Sequence, residues 1–137
     1  LGLLADSAHI DPHGKLYILG EFRYITARGL PASHARMALV LRITGARSEV
    51  IEGKKGLQIK VVDEDGRDVL PPSPEIAIQF DDVGPAARGQ VQSQVVIDLQ
   101  GFPLEREGAY VFEVFFQEHR LGDVAFHVAV TKDAAQP

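Results

Sequence analysis

The chain has 137 residues, 45% apolar and 24% charged, with a net charge of -5 and no cysteine. That composition describes one soluble globular domain. It excludes disulfides and thiol-ligated zinc or iron–sulfur clusters, and it offers no basic stripe of the kind that tracks nucleic-acid phosphates.

The arginines at 23, 28, 36, 42, 47, 67, 88, 106 and 120 are spread along the chain, so no nucleic-acid partner is expected. No run approaches about 18 apolar residues, so no membrane-spanning helix and no membrane partner are expected either. The start, LGLLADSAHI, has neither an initiator methionine nor a charged leader. It reads as a trimmed native start of a cytoplasmic protein rather than as a signal peptide.

In chain order, short apolar runs alternate with turn signals. Leu3 to Ile10 is a first strand, closed by Asp11-Pro12-His13-Gly14, whose residue order fits a type I turn. Lys15 to Thr26 follows, with Gly20 marking a bulge or bend at its middle. Leu30-Pro31 places Ala27 to Arg36 in a loop, and the nearly all-apolar Met37 to Thr44 is a central strand. Gly45 to Gly56 has room for one helical turn. Leu57 to Val62 and Glu75 to Phe80 alternate as strands, separated by the Asp63-Glu64-Asp65-Gly66 turn and an irregular proline run at 71–74. Val91 to Leu99 is the next strand, Gly101 to Gly108 a loop, and Tyr110 to Val130 a closing hairpin.

In that hairpin the apolar alternation slips by one residue. With a turn at Glu118-His119, a bulge at Gly122-Asp123 restores the pattern, setting Val114 opposite Val124, Phe112 opposite Phe126 and Tyr110 opposite Val128. The whole predicts an all-β fold: an antiparallel β-sandwich, immunoglobulin-like, of eight or nine short strands. A closed barrel is the alternative. Residues 1–130 form a single domain and 131–137 a flexible tail.

Candidate chemistry is sparse. His9, Asp11 and His13 alternate and could seed a metal site, but Pro12 bends the chain where ligands sharing one face would need it straight. Asp63, Glu64, Asp65 and Asp68, with Asp81 and Asp82, offer oxygen ligands, yet lack the spacing of a calcium loop. Ser33-His34 are sequence neighbours, a poor geometry for a nucleophile and its base. No nucleophile elbow, phosphate loop or dinucleotide fingerprint occurs, and without tryptophan a sugar-stacking face has little support. No catalytic residue or cofactor is therefore assigned. Phe115 points outward on the hairpin beside Val111 and His127, making that face the candidate interaction surface.

The segments LLADSAHIDPHGKLYILGEF, Leu30-Pro31-Ala32, DEDGRDVL and FPLEREGAYVFEVFFQEHRLGDVAFHV together resemble the DUF6941 group of small, mostly bacterial proteins. The shared residues are turn and core positions, and the resemblance implies no activity, cofactor or catalytic residue. The expectation is a non-enzymatic binding or assembly module that contacts a protein partner or itself. The alternative is a metal-dependent or small-molecule enzyme with a loop-borne site.

Overall fold

The computed structural model describes residues 1–48, 56–71, 73–84 and 88–131. Nine strands are described: β1 (Gly2–Ile10), β2 (Leu16–Phe22), β3 (Tyr24–Ala27), β4 (Ala32–Ala46), β5 (Leu57–Val62), β6 (Asp81–Asp82), β7 (Gln90–Leu104), β8 (Gly108–Phe116) and β9 (His119–Val130). They form two sheets, ordered β2-β1-β4-β7-β6 and β3-β9-β8-β5, and neither closes into a barrel. Most pairs are antiparallel, as expected. The exception is β3, which runs parallel to β9 with Ile25 beside Val128. The chain leaves the first sheet at Arg23 and joins the second on its outer side, so the single run expected over 15–26 is two strands in two sheets.

Leu4, Met37, Leu39 and Leu41 line the inner face of the first sheet and pack on Leu57, Ile59, Phe112, Phe126 and Val128 of the second. Each such side chain fully removed from water contributes about 1.5–3 kcal/mol. At the centre Phe102 of β7 sits among three rings of the opposite sheet. Its centroid lies 6.3 Å from Tyr110, 5.8 Å from Phe112 and 5.8 Å from Phe126.

Phe102 falls in a segment expected to be loop. The strand continues because Gly101 adopts φ 63°, which reverses the side-chain alternation of β7. Leu99 and Phe102, three residues apart, therefore both face the core. The partner strand changes face at the same level, carrying β4 back to Ala32 through the presumed Ala27–Arg36 loop.

Glu75 to Phe80 differs in the other direction. It alternates like a strand but makes only an isolated bridge, Ile76 to Leu57. The helical turn allowed for in 45–56, like the tail beyond 131, falls largely outside the described residues.

The closing hairpin has the expected one-residue irregularity, displaced by one position. The turn is Gln117-Glu118, both at positive φ (53° and 68°), so Phe116 pairs with His119 and Phe115 with Arg120. The register shifts between Val114 and Phe115, leaving Leu121 as the extra residue. Val114 then faces Gly122, Phe112 faces Val124 and Tyr110 faces Phe126. Each expected partner is two residues too far along. A shift of two preserves the facing of every side chain, so Val124, Phe126 and Val128 are buried.

Candidate interaction edge

A sheet edge presents a row of unpaired N–H and C=O groups, and proteins usually blunt it. Among the described residues this sandwich has four edges, and three are blunted. β5 is covered by the following segment: Leu57 exchanges backbone bonds with Ile76 (2.8 and 2.7 Å), Val69 N–H donates to Val61 O (2.9 Å), and Ser73 Oγ accepts Ile59 N–H (2.9 Å). β6 is two aspartates long, with Asp82 ion-paired to Arg47. β3 is only four residues long.

β2 is the fourth edge. It carries no charge from Leu16 to Gly20, and most of its residues are exposed. Leu19 is 71% exposed, Tyr17 47% and Ile18 39%. The hairpin that presents it is fixed by Asp11. One carboxylate oxygen accepts the His13 and Lys15 N–H groups (both 2.9 Å), the other accepts the Tyr17 hydroxyl (3.1 Å), and Asp11 N–H donates to Lys15 O (2.9 Å). Donation from the Lys15 N–H first, then from Tyr17 and His13, holds the Asp11 carboxyl below its ordinary value. The His9 and Tyr17 rings stack at 4.8 Å and 7°.

The direction of the free backbone groups follows from this anchor. Because Asp11 and Lys15 are a hydrogen-bonded pair, alternation makes Tyr17 and Leu19 bond inward to β1. Leu16 and Ile18 turn their N–H and C=O groups outward. Gly20, at φ 74°, lies against the Asp6 carboxylate, and a side chain there would collide with it.

The residues singled out from sequence are placed as follows. His9 is engaged with Tyr17 and Asp11 with its own turn. Among the described residues no three His, Asp or Glu side chains gather as a metal cluster. The carboxylates of the acidic loop are likewise engaged. Asp63 accepts the Asp65 and Arg67 N–H groups, Glu64 accepts the Ala109 N–H (3.1 Å), Asp65 pairs with Arg106 and Asp68 with Lys60. Ser33 and His34 alternate to opposite faces of β4, and the His34 ring lies 5.9 Å from Phe22.

On the outer face of the second sheet Val111 and Phe115 are half-buried and His127 is exposed. Phe115 stands between Gln58 and Arg120, Val111 between Val62 and Ala125, and His127 beside Tyr24 at 6.3 Å. The row between them is charged: Lys60, Glu113 and Asp123.

A depression of about 330 Å³ between the ends of the sheets is lined by Leu41, Val114, Leu121 and Val124. It has one carboxylate, Asp123, which Arg120 holds at 2.8 Å. The open β2 edge was not singled out in the sequence. Its signal was there, as five uncharged residues between Lys15 and Glu21 with no proline or lysine to guard them.

The profile of a family of unknown function, DUF6941, matches residues 1–129, and the chain belongs to that family. No curated protein matches it. Among solved structures it is similar to the Pseudomonas fluorescens alkylpurine DNA glycosylase AlkC bound to DNA containing an abasic site analog. The identity is 13% and the TM-score 0.44, over 78% of this chain and 27% of that one. At that level the likeness carries no argument about DNA.

Proposed function

We propose that this DUF6941 member is a non-enzymatic binding or assembly module, a single domain over residues 1–130 that takes up a protein strand along the open β2 edge. The carrying observation is the contrast between edges: β5, β6 and β3 are covered, charged or short, while β2 is exposed, uncharged and pre-ordered by Asp11. An added strand gains main-chain hydrogen bonds at Leu16 and Ile18, and its side chains meet Tyr17 and Leu19 on one face.

An immunoglobulin-like assignment suits this role. The order β1-β4-β7-β6 opposite β9-β8-β5 follows the A-B-E-D and G-F-C arrangement of that architecture, with β2 and β3 as additions at the A and G edges. Tyr110, at the start of β8, bonds back to Arg106 as a tyrosine corner does: its hydroxyl donates to Arg106 O (2.8 Å) and accepts Arg106 N–H (3.2 Å).

The face around Phe115, Val111 and His127 is the second candidate surface, less favoured because Lys60, Glu113 and Asp123 interrupt it. An enzyme with a loop-borne site has less support, since Asp63 is engaged by its own turn, Glu64 by the Ala109 N–H, Asp65 by Arg106 and Asp68 by Lys60. A cytoplasmic, protein-directed role without nucleic acid fits the scattered, ion-paired arginines, among them Arg36 with Asp98 and Arg120 with Glu113. Among the described residues no helix is long and apolar enough to cross a membrane.

A photo-cross-linking residue at Leu19, introduced in the producing cell, tests the reading, with Gln100 on β7 as the exposed control. Adducts from position 19 and none from position 100 are expected. Absence of adducts at 19, or equal yields at both positions, refutes an edge-directed binding module.

A further inference from the structure

We infer that the cleft beside β7 binds a small neutral ligand carrying peptide groups, of the size of a blocked amino acid. The site is separate from the β2 edge and does not depend on it. The cleft, about 600 Å³, opens where the segment Ile76–Gln79 crosses from the edge of β5 to β6. At its bottom lies Ser93, the one fully buried polar residue among those described, at 4% exposure. Among the described residues none hydrogen-bonds the Ser93 hydroxyl, and no described side-chain oxygen is sealed off without a partner. The hydroxyl therefore opens into the cleft that the residue lines. A hydroxyl taken so far from solvent without a protein partner costs folding free energy, which points to a group that it serves.

The main chain adds donors and acceptors at the same place. Val83 N–H donates to Gln90 O (3.2 Å), so antiparallel alternation makes Asp81 and Gln92 the next hydrogen-bonded pair. Gln79 and Gln94 would be the pair after that. This rung is not made: the pairing ends at Asp81, and both glutamines line the cleft. The other side of β7 gives the same direction. Arg47 N–H donates to Gly89 O (2.7 Å), so Val91, Ser93 and Val95 bond to β4. Gln94 and Val96 thus turn their N–H and C=O groups away from β4, towards the cleft. They stand about 7 Å apart along the strand, the spacing of alternate residues in an extended peptide. Beyond them Asp98, ion-paired to Arg36, ends the uncharged stretch. The available length therefore suits one or two residues and not a long strand.

The walls define the rest of the ligand. Ile76, Ile78 and Val95 form the core side, and Ile10 belongs to the hairpin side. The β1–β2 turn closes the outer side, where Gln94 Nε2 donates to Gly14 O (2.9 Å). The Gln94 Oε1 atom accepts Arg42 (2.8 Å), so the side chain is engaged and its main chain is what the cleft offers. The charged and titratable side chains of the lining are the exposed Asp81 and His13, and Asp81 disfavours an anion. A neutral amide with an apolar side chain matches this combination of few placed polar groups and apolar walls.

N-acetyl-leucine N-methylamide, with two peptide groups and one apolar side chain, is the probe. Titrated into the isotope-labelled full chain to about 50 mM, it should shift the Gln94 and Val96 amide resonances saturably. The dissociation constant expected for so small a ligand is roughly 1–10 mM. The Leu19 amide on β2 should not move. Ser93→Ala should weaken binding about fivefold, and should leave the thermal midpoint of the free protein unchanged or raised, since no protein hydrogen bond is lost. At ten times its dissociation constant the probe should raise the wild-type midpoint by about 4–6 °C. N-acetyl-leucine, an anion with one N–H donor fewer, should bind at least about tenfold more weakly.

Absence of saturable shifts, or shifts centred away from Gln94 and Val96, overturns the inference. So does equal binding by Ser93→Ala, or equal binding of N-acetyl-leucine. A fall of more than about 3 °C in the midpoint of free Ser93→Ala assigns the hydroxyl to the fold and overturns it too.

Discussion

Replacing Tyr110 with phenylalanine removes one oxygen and leaves the ring in place. The side chain is 2% exposed, stacked on Phe126 at 5.1 Å and edge-on to Phe102. Its packing survives the change. The loss is confined to two hydrogen bonds with Arg106, one donated at 2.8 Å and one accepted at 3.2 Å. Each contributes about 0.5–1.5 kcal/mol net, and Arg106 keeps a donor and an acceptor that must find water at a partly covered bend. The expected loss is therefore about 1–3 kcal/mol. At this chain length each kcal/mol lowers Tm by roughly 3–4 °C, for a fall of roughly 3–12 °C. Urea unfolding is the assay: the midpoint should fall with the slope unchanged. Tyr17→Phe is the control, because its hydroxyl bonds the exposed Asp11 and should matter by only a few tenths of a kcal/mol. A loss below about 0.5 kcal/mol at Tyr110, or equal losses at the two tyrosines, would refute the corner as a stabilising element.

Two other expectations concern the hairpins. Deleting Leu121 removes the extra residue of the bulge and leaves Gly122 opposite Val114 and Val124 opposite Phe112, so the facing of β9 is kept and the cooperative thermal transition should survive; its loss would refute Leu121 as the extra residue. Gly122→Ala should change stability by no more than about 0.5 kcal/mol, because a side chain there meets nothing within 4 Å; a large loss would return the bulge to Gly122. Asp11 titrates below its ordinary value of 3.8. Its contribution to stability is thus present above that value and disappears as the pH falls through the lower folded one. Asp11→Asn should show a smaller difference in urea midpoint between about pH 6 and pH 3 than wild type, and identical differences would sink the assignment.

Strand content was legible wherever side chains alternate against a core. Leu57–Val62 is a strand at its expected limits, and the described residues hold nine strands where eight or nine were expected. The misreadings share a physical cause, which is that periodicity reports the facing of side chains and not their neighbours. Phe102 follows a glycine and precedes a proline, so local signals read as loop. The pull of a four-ring cluster and a 63° φ at Gly101 carry β7 through it. Glu75–Phe80 fails in reverse: it alternates, but its role is to cover the β5 edge rather than to extend a sheet. In the last hairpin the faces were right and the partners wrong by two, because a change of two in register is invisible to a period of two. The open edge was missed because being an edge is a property of topology. Nothing in LYILGEF says which side of the strand is vacant until β1 is known to lie on the other.

That topological fact also separates β2 from the rest of the fold. β1 reaches the core through Leu4 and is paired on both sides, whereas β2 contributes only Phe22, at its far end, to the packed interior. With most of its residues exposed, its apolar stretch adds little to folding. A strand that was merely tolerated would be expected to fray or to carry guarding charge. Instead Asp11 holds its turn with three hydrogen bonds to one carboxylate, and His9 stacks on Tyr17 to fix its outer face. Ordering an apolar strand before anything binds it lowers the entropic cost of association. Rigidity at the turn and exposure along the strand make sense together only if the edge receives another strand, and this is why the breach of edge-protection rules falls at the site and not elsewhere.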